Sequence, residues 1–201
     1  MRKRSIATAL AVAIMTFAVL GVGTHEARAD LRWNTEAAVG AEKRFLTGRS
    51  AGIEDGGIGP RLELRAHLSL LPLVRLGAYT AQSFTPQEDT WRHLSSVGVH
   101  AKFTSPFPER PFRVYASLGA GFAGAYRKST ATFDGRGGRY LEIPFGLGAG
   151  YTFRKPWTLT FEVGGAVGVA FSGSLYDTSA PLFAGRDSAA IRAQIGLNLD
   201  L

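Results

Sequence analysis

The chain has 201 residues, a formal net charge of +7 and no cysteine, which excludes a disulfide-stabilised scaffold. Its first 29 residues carry four basic residues and one acidic residue, so a charge of +4 (+7 minus +3) remains on the following 172. This modest charge gives little support to nucleic-acid binding, and we expect no nucleic-acid partner.

The chain begins with the features of a secretory signal peptide. A basic start (residues 2–4) precedes an apolar run (6–22), and an A-x-A cleavage site ends at Ala29. We therefore predict a signal peptide over residues 1–29 and one domain over residues 30–201. That domain offers no unbroken run of about 18 apolar residues, so the sequence excludes a transmembrane helix in it.

Apolar and polar residues alternate in eight segments of the domain. In one of them Leu62 and Leu64 alternate with Glu63 and Arg65, a period of two that indicates a strand with one apolar and one polar face. We predict strands over residues 31–45, 60–70, 73–81, 93–103, 112–125, 139–153, 157–171 and 189–201.

The connections between these segments alternate in length. About 13, 11, 13 and 15 residues join strands one to two, three to four, five to six and seven to eight, whereas the other turns are short. An even number of strands with long loops at one end is typical of an eight-stranded, antiparallel, up-and-down transmembrane β-barrel. Strands of about 9–11 residues suffice to cross a membrane when they are tilted. The sequence therefore predicts this all-β fold.

The polar parity of strands five to seven is rich in glycine. A surface that faces water does not need glycine, which weakens strands, whereas a narrow lumen needs space for long charged side chains. Charges inside such a lumen must pair, so we expect an ion-paired plug rather than an open channel. Its predicted members are Arg61, Glu63, Arg65, Arg75, Arg113, Glu142, Glu162 and Arg192.

The signal peptide, the eight alternating strands and the apolar end of the last strand resemble the small bacterial outer-membrane barrels of the OmpA transmembrane-domain and OmpX type. The resemblance covers about residues 31–201. It implies residence in the outer membrane, both termini in the periplasm, and contact with membrane lipid and lipopolysaccharide. It also implies that the barrel-assembly machinery recognises the last strand, through Ile195, Leu197, Leu199 and Leu201.

The resemblance brings no catalytic motif, so we expect no enzymatic activity and a structural or envelope-supporting role with long surface loops. The oligomeric state stays open. One alternative is an exported soluble barrel, like a lipocalin, that binds an apolar ligand in its lumen. Another is a lipid-A-modifying barrel enzyme, because His93 lies near Ser95 and Ser96 at the predicted loop end. No third residue that would orient this pair is evident in the sequence.

Two further patterns are weak signals for a cofactor or a metal. The stretch GAGFAG over residues 119–124 fits the dinucleotide fingerprint, but no helical periodicity follows it. His67 and His100 share the polar parity with several glutamates, yet no paired spacing such as H-x-H is present. We therefore expect neither a cofactor nor a bound metal.

Three features bear on the membrane and on the regularity of the sheet. Pro144 interrupts the sixth strand on its lumen parity, which predicts a bulge or a broken ladder there. Basic residues flank the third long loop, where lipid phosphates can bind: Arg127, Lys128, Arg136 and Arg139. Aromatic residues near strand ends predict an interfacial girdle: Trp33, Phe103, Phe112, Tyr151, Phe153 and Trp157.

Overall fold

A computed structural model of the chain describes residues 32–47, 57–71, 73–87, 90–105, 111–129, 137–173 and 186–200. Eight antiparallel strands follow one another in chain order and form a closed barrel. The strands are β1 (Arg32–Thr47), β2 (Gly59–Leu71), β3 (Val74–Gln87), β4 (Thr90–Thr104), β5 (Phe112–Ser129), β6 (Gly137–Arg154), β7 (Trp157–Gly173) and β8 (Arg186–Asp200). The predicted fold is confirmed. The predicted signal peptide and Leu201 lie outside the described residues.

The first and last strands close the barrel. β1 pairs with β8 from Asn34 opposite Asp200 to Thr47 opposite Arg186. We call the end of the barrel with the connections 72–73, 105–111 and 155–156 the turn end, and the opposite end the loop end. Strand β1 begins at the turn end, and strand β8 ends there. Among the described residues, no helix is long and apolar enough to cross a membrane.

Apolar side chains lie outside the barrel and charged side chains lie inside. On β2, Leu62 and Leu64 are 54% and 59% exposed. Glu63, which lies between them, and Arg65, which follows Leu64, are buried. A water-soluble barrel has the opposite arrangement, with an apolar interior. The outer face therefore suits a lipid environment, and the described part of the lumen does not suit the apolar ligand of a lipocalin-like barrel.

The third connection differs from the predicted one. The sequence predicts about 11 residues between strands three and four, but β3 and β4 stay paired up to Gln87 opposite Thr90. Only residues 88–89 therefore join the two strands. Phe84 and Trp91 continue the outward parity, but the polar Gln82 on the same face interrupts its apolar pattern. The prediction of a long loop at this position was wrong.

The regular alternation of β7 ends at Ala170. Its φ is 56°, in the left-handed region, and the register with β6 shifts between Arg139 and Leu141. Beyond this bulge Ala170 and Ser172 are exposed, so the predicted parity of β7 does not hold over its last residues. A bulge adds one residue to a strand and so exchanges its inward and outward faces.

Pro144 breaks the ladder between β5 and β6, as predicted. The pairing runs to Leu118 opposite Phe145 and resumes at Gly121 opposite Glu142 in the same register, with no pair in between. On the other side β6 stays paired with β7 through Pro144 opposite Ala166. Proline has no N–H to donate, so the bond is missing on one side only. A Cβ at Gly119 would lie 2.9 Å from Cγ of Pro144, so glycine makes room for the ring.

Exposed aromatic side chains lie near both ends of the barrel. The six predicted girdle residues are all exposed on the outer face, and all lie at the turn end. A second set, which the sequence did not suggest, lies on the outer face near the loop end: Phe84, Trp91 and Tyr126. Aromatic rings favour the boundary between a membrane and water. The two sets therefore mark the two edges of an apolar band.

Candidate functional site: the charged lumen

Charged side chains span the lumen near the loop end. Nη2 of Arg44 lies 2.6 Å from Oε1 of Glu142, and its Nη1 donates to the Tyr140 hydroxyl at 2.7 Å. On its own strand, Nε of Arg44 donates to Glu42 at 2.7 Å. All four side chains are buried. Because β1 and β6 are not neighbours in the sheet, the bonds from Arg44 to Tyr140 and Glu142 cross the lumen.

Arginines of β2 continue this arrangement toward the turn end. Arg61 places Nη1 2.6 Å from Oε2 of Glu42 and Nη2 3.0 Å from Oε2 of Glu63. Nε of Arg65 donates to Oε1 of Glu63 at 2.6 Å. The hydroxyl of Ser83 donates to Glu42 at 3.0 Å. Each of these two carboxylates therefore lies between two guanidinium groups.

Glu162 of β7 receives the largest number of bonds. Arg65 donates to its two oxygens from Nη1 at 2.9 Å and Nη2 at 2.8 Å, a bidentate pair. Arg192 and Gln194 of β8 each donate to its Oε1 at 3.2 Å. Bidentate pairs between arginine and carboxylate are among the stronger hydrogen bonds in proteins. Glu162 thus connects β2 to β7 and β8 across the lumen.

Glu36 lies at the turn-end side of these contacts. It accepts from Nζ of Lys102 and from the Thr160 hydroxyl, both at 2.7 Å, and Nη1 of Arg65 lies 3.7 Å away. The Lys102 ammonium also lies 4.1 Å from the centre of the Tyr115 ring. A cation over an aromatic face is stabilised by the charge distribution of the ring. Lys102 therefore has two kinds of partner although it is buried.

Ion pairs of 4 Å or less connect these charges into one group, which we call the lumen network. The network contains five carboxylates and five cations: Glu36, Glu42, Glu63, Glu142 and Glu162 with Arg44, Arg61, Arg65, Lys102 and Arg192. Its formal charge is therefore zero. Buried charges are tolerated when they are paired and hydrogen-bonded in this way.

Six of the eight residues predicted for the lumen belong to this network: Arg61, Glu63, Arg65, Glu142, Glu162 and Arg192. The other two lie elsewhere. Arg75 is at the turn end, where its Nη1 lies 3.3 Å from Asp200, and both groups are partly exposed. Asp200 also accepts a hydrogen bond from the Asn34 amide. Arg113 is near the turn end as well, opposite Gly150.

Four members of the network were missing from the predicted set: Glu36, Glu42, Arg44 and Lys102. All four stand on the inward parity of their strands, so the alternation itself contains the signal. The first three were overlooked because β1 has the weakest apolar parity, with Ala37 and Ala41 where other strands have large side chains. Lys102 lies near the end of β4, where a lysine is usually solvated.

Comparison with known proteins rests on structure. No protein-family model matches the sequence, and no curated protein matches it. The structure is similar to that of Neisserial surface protein A, with a TM-score of 0.62 and 10% identity over 85% of this chain and 97% of the other. It is also similar to the N-terminal β-barrel domain of Pseudomonas aeruginosa OprF, with a TM-score of 0.50 and 13% identity over 84% and 97%.

A third similar structure is Ail, the attachment invasion locus protein of Yersinia pestis, in complex with the heparin analogue sucrose octasulfate. Its TM-score is 0.50, with 12% identity over 84% of this chain and 99% of the other. The fold is that of the small eight-stranded outer-membrane barrels. At these identities the similarity is one of fold and assigns no function to this barrel.

Glycines of this barrel make room for tyrosine rings in the lumen. A Cβ at Gly121 would lie 2.5 Å from the hydroxyl oxygen of Tyr79, and one at Gly98 would lie 2.8 Å from its Cε1. A Cβ at Gly148 would overlap the ring of Tyr115. The sequence predicted space for arginines at such positions. Gly146 does make room for a charged side chain, because a Cβ there would lie 2.9 Å from the Glu162 carboxyl group. At Gly98, Gly121 and Gly148 aromatic rings take the space instead, a packing that protects glycine-rich strands.

We expect Gly148→Ala to lower the free energy of unfolding by about 1–3 kcal/mol, the usual cost of overpacking a filled interior. The added methyl group would overlap Tyr115 and lie 2.6 Å from the carbonyl oxygen of Phe161, which is backbone and cannot turn aside. Urea unfolding of the barrel in lipid vesicles measures the change. Gly124→Ala is the control, because its nearest contact is an ordinary 3.4 Å to Tyr126. Equal losses in the two variants would contradict the packing argument.

Two histidines meet in the lumen of the barrel. Nε2 of His67 lies 2.9 Å from Nδ1 of His100, and both rings are buried. Among the described residues, no group of three or more His, Cys, Asp or Glu side chains is placed to hold a metal ion. The GAGFAG stretch lies wholly within β5, so it does not form the strand-to-helix turn that dinucleotide binding requires.

His93 and Ser95, the pair considered for a lipid-A-modifying barrel, do not contact each other directly in the structure. Nε2 of His93 lies 2.6 Å from Oε1 of Gln82, and Nε2 of Gln82 donates to Oγ of Ser95 at 2.8 Å. The Gln82 amide therefore stands between the imidazole and the hydroxyl. Ser96 faces the lumen and is buried. In this structure the imidazole is therefore hydrogen-bonded to the Gln82 amide and not to the Ser95 hydroxyl.

Proposed function

We propose that this protein is a non-enzymatic, integral outer-membrane barrel that supports the cell envelope and whose lumen is closed by ion pairs. Leu147, Val97 and Phe122 are 67%, 59% and 70% exposed on its outer face, and aromatic rings mark both edges of this face. Such a surface is stable in lipid and prone to association in water. The loop end, with the long connections 48–58, 130–136 and 174–185, would face the exterior.

The single observation that carries the closed lumen is the charge-balanced network across it. Arg44–Glu142 connects β1 to β6, and Arg65–Glu162 connects β2 to β7, so the bonds cross the barrel rather than follow its wall. An eight-stranded barrel has an interior just wide enough for side chains to fill. We therefore propose that paired side chains obstruct the path that water and ions would take.

The proposal extends to the assembly of the barrel and to the lipids around it. β8 pairs with β1 along nearly its whole length and presents Ile195 and Leu197 outward, 49% and 42% exposed. We propose that this strand, with Leu199 and Leu201, is the element that the barrel-assembly machinery recognises. Lipopolysaccharide and other membrane lipids would be the partners of the outer face.

Planar-bilayer recording tests the closed lumen. We expect the native barrel to show no large, steady conductance. The double variant Glu142→Ala, Glu162→Ala should show increased leakage. It removes the carboxylate partners of Arg44 and Arg65 across the lumen, and the buried guanidinium groups that remain would attract water and anions. A steady conductance from the native protein would refute the plug.

The matched control for this experiment is Asp200→Ala. Asp200 is also a carboxylate paired with an arginine, but at the partly exposed turn end. Its removal leaves the lumen network intact, so conductance should stay at the native level. Leakage in the control equal to that of the double variant would mean that the recorded current arises from general loosening of the barrel.

A further inference from the structure

A polar cluster interrupts the apolar outer face near the loop end. It consists of Gln82 on β3 and His93 and Ser95 on β4, joined by hydrogen bonds of 2.6 and 2.8 Å. All three side chains are half-buried on the outward parity of their strands. In the Gln82–Ser95 bond the serine oxygen is the acceptor, so its own O–H remains to donate outward. Such groups are costly in the middle of a lipid face and are placed to bind a polar part of a lipid.

A positive charge lies on the same row of the barrel. The register places Gln82 opposite Ser95, Ser95 opposite Gly124, and Gly124 opposite Arg139, whose side chain is exposed. Adjacent strands are about 4.8 Å apart, so Ser95 and Arg139 lie about 10 Å apart along the row. Gly124 has no side chain between them. The Tyr126 ring lies over Gly124, so the row has hydroxyl and amide groups on one side, an aromatic ring in the middle and a guanidinium on the other.

The next row toward the loop end consists of aromatic rings. Phe84 stacks on His93, with ring centroids 4.6 Å apart and planes inclined by 8°, and the Tyr126 ring lies 6.4 Å from His93. Tyr126 also covers Gly124, at 3.4 Å from the position of a Cβ there. These rings belong to the loop-end aromatic set. The polar row therefore lies next to the loop-end aromatic set, on the side that faces the middle of the apolar band.

An apolar groove begins beside the same cluster. It has a volume of about 590 Å³ and is lined by Gln82 and Thr80 at one edge and by side chains of β1, β2 and β8 beyond. Ala37 forms a low point between Leu64 and Leu197, its partners on the two neighbouring strands. A small residue between two larger ones leaves a channel on the surface. An acyl chain fits such a channel, and its polar end would then lie near Gln82.

We propose that this surface binds one phosphorylated, acylated sugar lipid of the outer leaflet. Arg139 would hold a phosphate, Ser95, Gln82 and His93 would bond sugar hydroxyls and acyl carbonyls, and the groove would take one chain. A sugar headgroup matches the cluster better than a phosphodiester does, because it offers both donors and acceptors to an amide, a hydroxyl and an imidazole. The proposal rests on the proposed function, which turns the loop end toward the outer leaflet.

Native mass spectrometry of the purified full-length barrel tests the site. The barrel in detergent micelles is titrated in parallel with rough lipopolysaccharide, phosphatidylglycerol and phosphatidylcholine. We expect saturable binding of one lipopolysaccharide and at least tenfold weaker binding of the two phospholipids. Arg139→Ala and Gln82→Leu should each weaken lipopolysaccharide binding about tenfold, the effect of one lost bond to a charged or buried polar group.

Controls separate this proposal from the proposed function. Arg154→Ala removes an exposed arginine from the other end of β6, and its binding should equal that of the native barrel. Ser95→Ala, which removes one hydroxyl, keeps the test valid if Gln82→Leu fails to fold, as judged by heat-modifiable mobility on gels. Equal binding of phosphatidylglycerol, or unchanged binding in Arg139→Ala and Ser95→Ala, would overturn the glycolipid site. Neither result would affect the conductance measured for the closed lumen.

Discussion

Replacing Glu162 by alanine is expected to lower the free energy of unfolding of the barrel by about 3–5 kcal/mol, the usual cost of removing one partner from a buried ion pair. The variant removes both bonds of the bidentate Arg65 pair and those from Arg192 and Gln194. Arg65 would keep Glu63, but the lumen network would carry one uncompensated positive charge. Urea unfolding in lipid vesicles, followed by tryptophan fluorescence, gives the difference.

Two companion variants show whether charge or general packing is responsible. Glu162→Gln keeps the size of the side chain and part of its bonding, so it reports the cost of the lost charge. Asp200→Asn removes the charge from a pair whose members are 17% and 37% exposed at the turn end but keeps an oxygen that accepts from the buried Asn34, so it should cost less than about 1 kcal/mol. If Asp200→Asn were as damaging as Glu162→Gln, the lumen network would not be a special source of stability.

Val97→Arg is expected to destabilise the barrel by about 2–4 kcal/mol in a bilayer. Val97 is 59% exposed on the outer face of β4, six residues from the loop-end ring at Trp91 and six from the turn-end ring at Phe103. An arginine there would lie near the middle of the apolar band, too far from either edge for its charge to reach water easily. Folding titrations in vesicles measure the change.

The control for this variant places the same charge at a different depth. Ala101 is on the same outward parity of β4, two residues from Phe103, and Ala101→Arg should cost only about 0–1 kcal/mol. Val97→Ala gives the small effect of losing the valine itself. Equal costs for the two arginine variants would contradict a depth-dependent lipid environment and would favour an outer face in contact with water.

The fold could be predicted from the sequence because polar inward residues alternate with apolar outward residues along the strands. This parity is clearest on β2, where Arg61, Glu63 and Arg65 alternate with leucines, and it predicted both the strand count and the broken ladder at Pro144. Parity was less informative where small or polar residues face outward. That is why the pairing of β3 with β4 beyond Gln82 was missed and a long loop was predicted instead.

The candidate sites could be predicted only in part from the sequence. Parity assigns a residue to the lumen but gives neither its height nor its partner, so Arg75 was grouped with residues that it does not reach. The bulge at Ala170 left no sequence signal, because alanine is not a residue that favours a positive φ. The Gln82–His93–Ser95 cluster depends on the register of β3 with β4, which a wrong loop length conceals.

The pairs of the lumen network also determine when their stabilisation becomes available during folding. Arg44 and Glu142 are 98 residues apart in the chain, and Arg65 and Glu162 are 97 apart. A sheet of the first five strands would hold these arginines with Glu36, Glu42 and Glu63 but without Glu142 and Glu162. Contacts between such distant residues form late, because a long loop must be closed first. The barrel therefore has a strong reason to fold as one cooperative unit, in which closure of the sheet and neutralisation of its interior occur together.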